Sequence, residues 1–459
     1  MAVRHEHNWE LLLETIPTEM QKRAIPGLAV GILVHGQVKA AGFGVTNVEH
    51  PLPVSAETLF QIGSITKTFT ATALMRLVEM GKLDLDEPLQ TYLPNFKVAD
   101  ATASAQATTR HLLTHTGGWF GDHFHDSGSG EDALANYMAD MAELEQLVPL
   151  GTVWSYSNAG FYLAGYLIEV VTGKSYQTAL TELVLEPLGL QQCYFEAEKL
   201  ITHRFVVGHN VVDGEPQVAR PWALPRAVQP VGGIICSVRE LLRYAQFHLG
   251  DGTGVTGERV ISAETLTQMQ ATHVPVWKNE TFGLSWFLNK LNGTQLIYHG
   301  GGTKGQVTRL TLIPEHKMAI AVFTNAEQGG AVTRAVTNQA LKQYLALDTP
   351  QPRPIIATPE ELANYTGYFY NPYADLELNM LCGQLVGQLI YKRGFPSKEI
   401  PPSSPPPPAA FTLCEQDRLL VLNGATKGET IDVIRQQDGS ILGLRQGGRL
   451  RKRRHKNSY

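Results

Sequence analysis

The sequence predicts an α+β fold, a layered domain of sheet and helices followed by a small antiparallel β-barrel. Three observations carry this. Strand-like and helix-like apolar periodicities both run through residues 1–347. A proline-dense break, Asp348-Thr349-Pro350-Gln351-Pro352-Arg353-Pro354, can continue neither a helix nor a central strand. Beyond it the pattern is almost wholly β, with hairpin-type glycine turns. The boundaries read as a layered domain at 1–347, a proline-rich linker at 348–357 and a barrel domain at 358–459. The chain of 459 residues exceeds what one core fills, so more than one domain is expected on length alone.

Each element has its own signal. Leu28 to Val34 is apolar and β-branched, His35-Gly36 turns, and Val38 to Val45 returns, which predicts a hairpin within 26–49. From Ser64 to about Met80, Phe69, Ala73, Leu74, Leu77 and Val78 recur at helical spacing, and Gly81 follows the end. A second helix is expected from about Ala159 to Val171, stopping near Gly173. Thr308 to Ile313 and Met318 to Thr324 read as strands joined by Pro314-Glu315-His316-Lys317. After the linker, Thr358 and Pro359 have the types of a helix cap and a first helical residue. Leu376, Leu378 and Met380 alternate with polar residues, and Asn423-Gly424 and Asp438-Gly439 are hairpin-type turns. The proline run 401–408 is expected to be an extended, exposed loop.

Composition narrows the function classes. With 43% hydrophobic and 18% charged residues the chain is globular, and its formal net charge of -5 gives nucleic acid no basic surface to hold. The basic run 449–456 is expected to be a solvated end of the last strand. Cys193, Cys236, Cys382 and Cys414 are widely spaced and read as free thiols in a reducing compartment. Residues 1–14 lack a basic start, an apolar stretch and a small-residue cleavage site, so no signal peptide is read and a cytoplasmic location is expected. No apolar run reaches the ~18 residues of a membrane span. The expected partner is a small-molecule or short-peptide substrate, with a homo-oligomer left open.

Three motifs carry chemistry. Ser64-Ile65-Thr66-Lys67 is the only S-x-x-K and opens a predicted helix, where residues three apart share a face. A serine hydroxyl needs a base within hydrogen-bond reach, and a lysine is a base once burial or charge lowers its pKa. The bland alternative is a helix cap followed by a surface lysine. Tyr156-Ser157-Asn158 is the only Y-x-N. Its tyrosine can accept or relay a proton and its amide can grip an acyl group, whereas a turn with Asn158 as cap is the bland alternative. Tyr298-His299-Gly300-Gly301-Gly302-Thr303 precedes the predicted strands, and its glycines let a substrate approach backbone N–H groups. A flexible hairpin tip would read the same way.

Taken in this order, the three motifs resemble the serine β-lactamase and DD-peptidase superfamily. The branch they are most similar to holds class C β-lactamases, DD-carboxypeptidases, D-aminopeptidases and related esterases. Supporting segments are Pro26-Gly27, Phe60-Gln61-Ile62-Gly63, Leu112-Leu113-Thr114-His115-Thr116-Gly117-Gly118, Pro187-Leu188-Gly189-Leu190 and Gly232-Gly233. The resemblance covers roughly residues 10–345, and the segment after 355 resembles the lipocalin-like barrel that some of these hydrolases append. It implies a β-lactamase/transpeptidase-like domain, with Ser64 as nucleophile, Lys67 as its base and Tyr156 as proton relay. It further implies Asn158, His299, Gly300 and Gly301 as substrate-binding residues, an oxyanion hole from the N–H groups of Ser64 and Gly302, and no cofactor. Where class C β-lactamases carry Lys-Thr-Gly, this chain has His299-Gly300-Gly301, which replaces a permanent charge by a group expected to titrate near neutrality and removes a hydroxyl. The expected activity is therefore hydrolysis of esters or D-amino-acid peptides and amides through an acyl-enzyme, with weak or no β-lactamase activity. A true β-lactamase or penicillin-binding DD-carboxypeptidase is the alternative.

Readings of other classes compete. Asp122-His123-Phe124-His125-Asp126, with His111 and His115 four apart, offers metal-ligand types. No His-Glu-x-x-His motif accompanies them, so no metal is assigned and the segment is read as a loop lining the mouth of the site. No G-x-S-x-G elbow is present. Gly173-Lys174-Ser175 resembles the end of a phosphate loop, but Ile168 stands where its first glycine belongs. A catalytically silent binding or sensing module is the non-enzymatic alternative.

Overall fold

The computed structural model describes residues 2–394, 401–402, 404–424 and 426–454. Eight antiparallel strands form the main sheet, in the spatial order 37–44, 27–34, 318–324, 306–313, 294–303, 287–291, 280–282 and 274–277. The first hairpin turns through His35 and Gly36, at φ 47° and 82°. That left-handed pair matches the twist of its strands. Strand Gly27–Val34 is buried on both faces, so its sequence is continuously apolar rather than alternating. Leu28, Val30 and Ile32 pack under the terminal helices Ala2–Gln21 and Gly329–Leu345, against Leu12, Ile16, Val332 and Val336. Ala29 and Leu33 face the opposite layer, with Leu241 and Phe69 of helices Val238–His248 and Thr66–Glu79.

Thr66–Glu79 and Asn158–Thr172 form the centre of the helical lobe. Both are buried nearly all round along their first halves, which is why they are apolar on more than one face. Ser64 does not open the α-helix itself; it sits in the 3-10 turn Gly63–Ile65 that leads into it. A segment without regular structure, about 347–357, then leads to helix Pro359–Ala363, capped by Thr358 with a reciprocal Glu361 contact.

Eight strands after the linker, from Gly367–Tyr370 to Arg449–Arg454, close into a barrel, the last pairing with the first. Phe369, Leu378, Leu385, Leu419, Ile431 and Leu444 fill it. Asp438-Gly439 lies between strands as expected. Asn423-Gly424 instead begins a longer loop, because the Asn423 side chain accepts from the Ala410 N–H at 2.7 Å and holds the chain open. A tight turn missed in the sequence is Gly447-Gly448, both at positive φ, between Ile441–Gln446 and Arg449–Arg454. Of the proline run, the described residues lie outside strands and helices and are mostly exposed; Ser403 lies outside the described residues.

The basic run 449–456 departs from its expectation. Residues 449–454 are the closing strand of the barrel rather than a solvated end, and Arg451 is 8% exposed. Within this strand the adjacent residues Leu450 and Arg451 are both buried. His455 and Lys456 lie outside the described residues. All four cysteines are free thiols, and no helix among the described residues is long and apolar enough to cross a membrane.

Candidate active site

The bland alternatives for the first two motifs fail on geometry. No side-chain cap bond forms at the start of Thr66–Glu79, so the Ser64 hydroxyl is not consumed in capping. Lys67 is fully buried rather than on the surface. Its Nζ donates to Ser64 Oγ at 2.9 Å and to the Val231 carbonyl at 2.8 Å. Among the described residues no carboxylate pairs with it. Burial therefore dominates and holds the ammonium pKa well below its ordinary 10.5, helped by the Arg449 charge and only weakly opposed by Asp122.

Helix Asn158–Thr172 is capped by Ser157, whose side chain accepts from Gly160, and not by Asn158. The Asn158 amide is thereby left to the site, where it donates to Asp122 Oδ1 at 2.7 Å. Tyr156 stands over Lys67, with the ammonium 5.1 Å from its ring centroid. Burial pushes the phenol up to about 12, so it is neutral at pH 7 and suited to relay a proton rather than to hold a charge. His115 packs on Tyr156 at 4.3 Å between centroids, and its Nδ1 accepts from the Ser157 N–H at 3.1 Å. Burial keeps this imidazole neutral.

The third motif lies on strand Thr294–Thr303, next to the Gly63–Ile65 turn that carries Ser64. Thr308 on the neighbouring strand donates to the Ile62 carbonyl at 2.8 Å. The approach is close enough to require glycine. A Cβ on Gly301 would fall 1.8 Å from the Ile62 oxygen, and one on Gly63, at φ 53°, would fall 2.5 Å from the Gly302 nitrogen. Gly302 is brought beside Ser64, and both line one cleft. His299 differs from its expectation. It is 1% exposed, and burial drives its pKa down to about 3, so it is neutral where the sequence reading has it titrating near pH 7. Its Nδ1 donates to the Gly300 carbonyl at 2.6 Å.

Ser64 lies where two cavities meet. The larger, about 800 Å³, is lined by Tyr156, Glu280, Gly302, Arg309 and Arg334 of the first domain and by Arg418, Glu429, Arg445 and Arg449 of the barrel. Arg418 and Arg445 pair with Asp432, and Arg449 with Asp122. Arg309, stacked on Tyr298, and Arg334 have no ion-pair partner among the described residues. The smaller, about 170 Å³, is mainly apolar and is lined by Phe124, Asn158, Tyr162, Leu224 and Val231.

Arg449 and Gly448 are among the site-lining residues that the sequence reading missed. The Gly448 carbonyl accepts the Tyr156 N–H at 2.9 Å, and Leu450 N–H donates to Ser155 Oγ at 3.2 Å. Arg449 lies 4.5 Å over the Tyr156 ring and donates to Asp122 Oδ2 at 3.0 Å. The available signal was Gly447-Gly448 between the apolar stretch 441–444 and the basic run 449–454, a hairpin tip; nothing local says what that tip touches. The metal-ligand types at 122–126 have other occupations: Asp122 serves Asn158 and Arg449, and His125 pairs with Asp140 at 2.8 Å. Among the described residues no three His, Cys, Asp or Glu side chains gather as a metal site.

A family profile described as Beta-lactamase matches residues 12–344. Penicillin-binding protein 4 of Amycolatopsis lactamdurans is 32% identical over 376 residues, covering 78% of this chain and 97% of that protein. Among solved structures, SurE has a TM-score of 0.79 at 23% identity and covers 98% of this chain and 100% of its own; it is also solved with D-Leu. The octameric penicillin-binding protein homologue from Pyrococcus abyssi has a TM-score of 0.65 at 26% identity, over 94% of this chain and 96% of its own.

Proposed function

The chain belongs to the β-lactamase family, and on that footing we propose that it is a serine hydrolase forming an acyl-enzyme on Ser64, acting on D-amino-acid-containing peptides or amides and on esters, with weak or no β-lactamase activity. The observation that carries the reading is the 2.9 Å contact between Ser64 Oγ and a fully buried Lys67 whose proton is weakly held. In the proposed reaction Ser64 attacks the carbonyl carbon as its hydroxyl proton passes to neutral Lys67. The N–H groups of Ser64 and Gly302 receive the oxyanion. Tyr156, a neutral phenol, gives its proton to the leaving group and regains one from the Lys67 ammonium. Water then cleaves the ester to Ser64.

Asn158 and the apolar pocket suit the acyl side of the substrate, and the arginine-lined cleft suits the leaving side. That cleft carries Glu280 and Glu429 beside Arg309 and Arg334, so it suits a polar leaving group, and the DD-carboxypeptidase alternative stays in view. The D-configuration draws support from the SurE structure with D-Leu. Weak β-lactam turnover follows from His299, which as a buried neutral ring offers no fixed charge to a substrate carboxylate. An oligomer is compatible with the octameric homologue.

The test is hydrolysis of a short-chain nitrophenyl ester, a D-alanyl anilide, its L-isomer and a chromogenic cephalosporin by the wild type and Ser64→Ala. The reading expects activity on the ester or the D-anilide, abolished in Ser64→Ala, and little on the cephalosporin. Equal activity in both proteins, or none in either, would return the binding-module and metal readings to the front.

A further inference from the structure

Among the described residues of the barrel, Arg449 is the one whose charge acts on Lys67, and it is there only because the barrel is seated. Two hydrogen bonds dock its hairpin on the Tyr156 segment, a backbone bond from Tyr156 N–H to Gly448 O and one from Leu450 N–H to the Ser155 side-chain Oγ. Asp122 then fixes the guanidinium, taking Nε at 3.0 Å while its other oxygen takes the Asn158 amide. Arg449 and Lys67 lie 4.5 Å and 5.1 Å from the same Tyr156 ring centroid. The two cations are thus no more than roughly 10 Å apart; Lys67 is fully buried while the Arg449 side chain is 38% exposed, so solvent screens their repulsion only in part.

We propose that Arg449 is an electrostatic positioning residue for the nucleophile pair, so that seating the barrel is part of switching the base on. The proposal rests on the reading of Lys67 as base given above. The groups facing Lys67 set its sign. Tyr156 is a neutral phenol, and His115 and His299 are both held neutral by burial. Two groups act on Lys67 through charge, Asp122, which favours the ammonium, and Arg449, which disfavours it. A guanidinium cannot lose its proton in this range. Its repulsion therefore always favours neutral Lys67, the form that can take the serine proton. A barrel that moved away would remove that repulsion, and Lys67 would hold its proton to higher pH. Arg449 itself touches no reacting atom in this role.

The readout is the acid limb of kcat/KM against pH for an uncharged nitrophenyl ester, a substrate with no carboxylate for Arg449 to bind. The wild type, Arg449→Gln and Arg449→Lys are compared, with Ser64→Ala as blank. In parallel, the Lys67 Cε signal is titrated by 13C NMR in a Ser64→Ala background and assigned by its loss in Lys67→Arg. Removing the charge should raise both midpoints by on the order of one pH unit, the effect of one charge at about 10 Å and an effective dielectric near 20. Arg449→Lys should stay close to wild type. Midpoints that do not move in Arg449→Gln, or that move equally in Gln and Lys, would overturn the proposal, since loss of docking alone makes no distinction between them. An ester activity that survives Ser64→Ala would instead sink the hydrolase reading, and the NMR titration would still decide the role of Arg449.

Discussion

A lysine ammonium taken out of water with no carboxylate in contact gives up its proton readily, and Lys67, sealed between Ser64, Val231 and the rings of Tyr156 and Phe161, is in that position. Replacing it by methionine keeps the volume and removes the base. Lys67→Met should lower kcat by about 10²- to 10⁴-fold with the fold retained, which steady-state kinetics beside circular dichroism would check. The same burial acts in the opposite sense on stability at His299. Its pKa falls from 6.5 unfolded to about 3 folded, so the unfolded chain binds the proton that the native state refuses. Its contribution is complete above pH 6.5 and is lost as the pH falls toward 3. Melting temperature should therefore drop across that window, and less steeply in His299→Gln; equal slopes in the two proteins would show that His299 is not a source of the acid sensitivity.

At the scale of elements, the site is the near-contact of a 3-10 turn and a strand. Gly301 and Gly302 are adjacent and chemically identical, yet the structure assigns them different tolerances. Alanine at 301 would drive a methyl into the Ile62 carbonyl at 1.8 Å, whereas at 302 there is nothing within 4 Å. Gly301→Ala should cost at least ~3 kcal/mol of stability or displace the strand from Ser64, with a loss of about 10²-fold or more in kcat/KM. Gly302→Ala should stay within a few-fold of wild type, because the N–H it offers is unchanged. Thermal melts and ester hydrolysis on the two variants decide this, and equal damage at both positions would mean the strand sits differently. Sequence alone shows three glycines in a row and cannot rank them, since the rank comes from what faces each one.

For the whole molecule, the joint between domains is built from buried charge. Arg445, 3% exposed on its side chain, pairs with Asp432 at 3.0 Å and donates to the carbonyls of Trp154 and Val276 across the interface. Arg454 and Tyr370 both reach Glu145. Removing one partner of a buried pair strands the other, so Arg445→Ala should destabilise by about 3 kcal/mol or more and loosen the barrel. A single cooperative melt in the wild type that splits into two in Arg445→Ala would register that loosening. A variant melting as the wild type does would place the strength of the joint elsewhere.

The sequence by itself determined what depends on local periodicity and on residue type at fixed spacing. The first hairpin, the helix behind Ser64, the paired strands at 306–324 and the β character after the proline break follow from neighbours along the chain. Ser64 and Lys67 were legible together because three residues of helix carry both to one face. What only the tertiary structure decided is each group's surroundings. His299 is a histidine in any context, but its neutrality comes from burial beneath strands and rings distant in sequence. Arg449 belongs to a basic run that looks like a solvated tail, until closing the barrel sets it over Tyr156, whose position in the sequence is far away. Periodicity and spacing are properties of the chain, whereas solvation and charge at a point are sums over everything the fold brings near it.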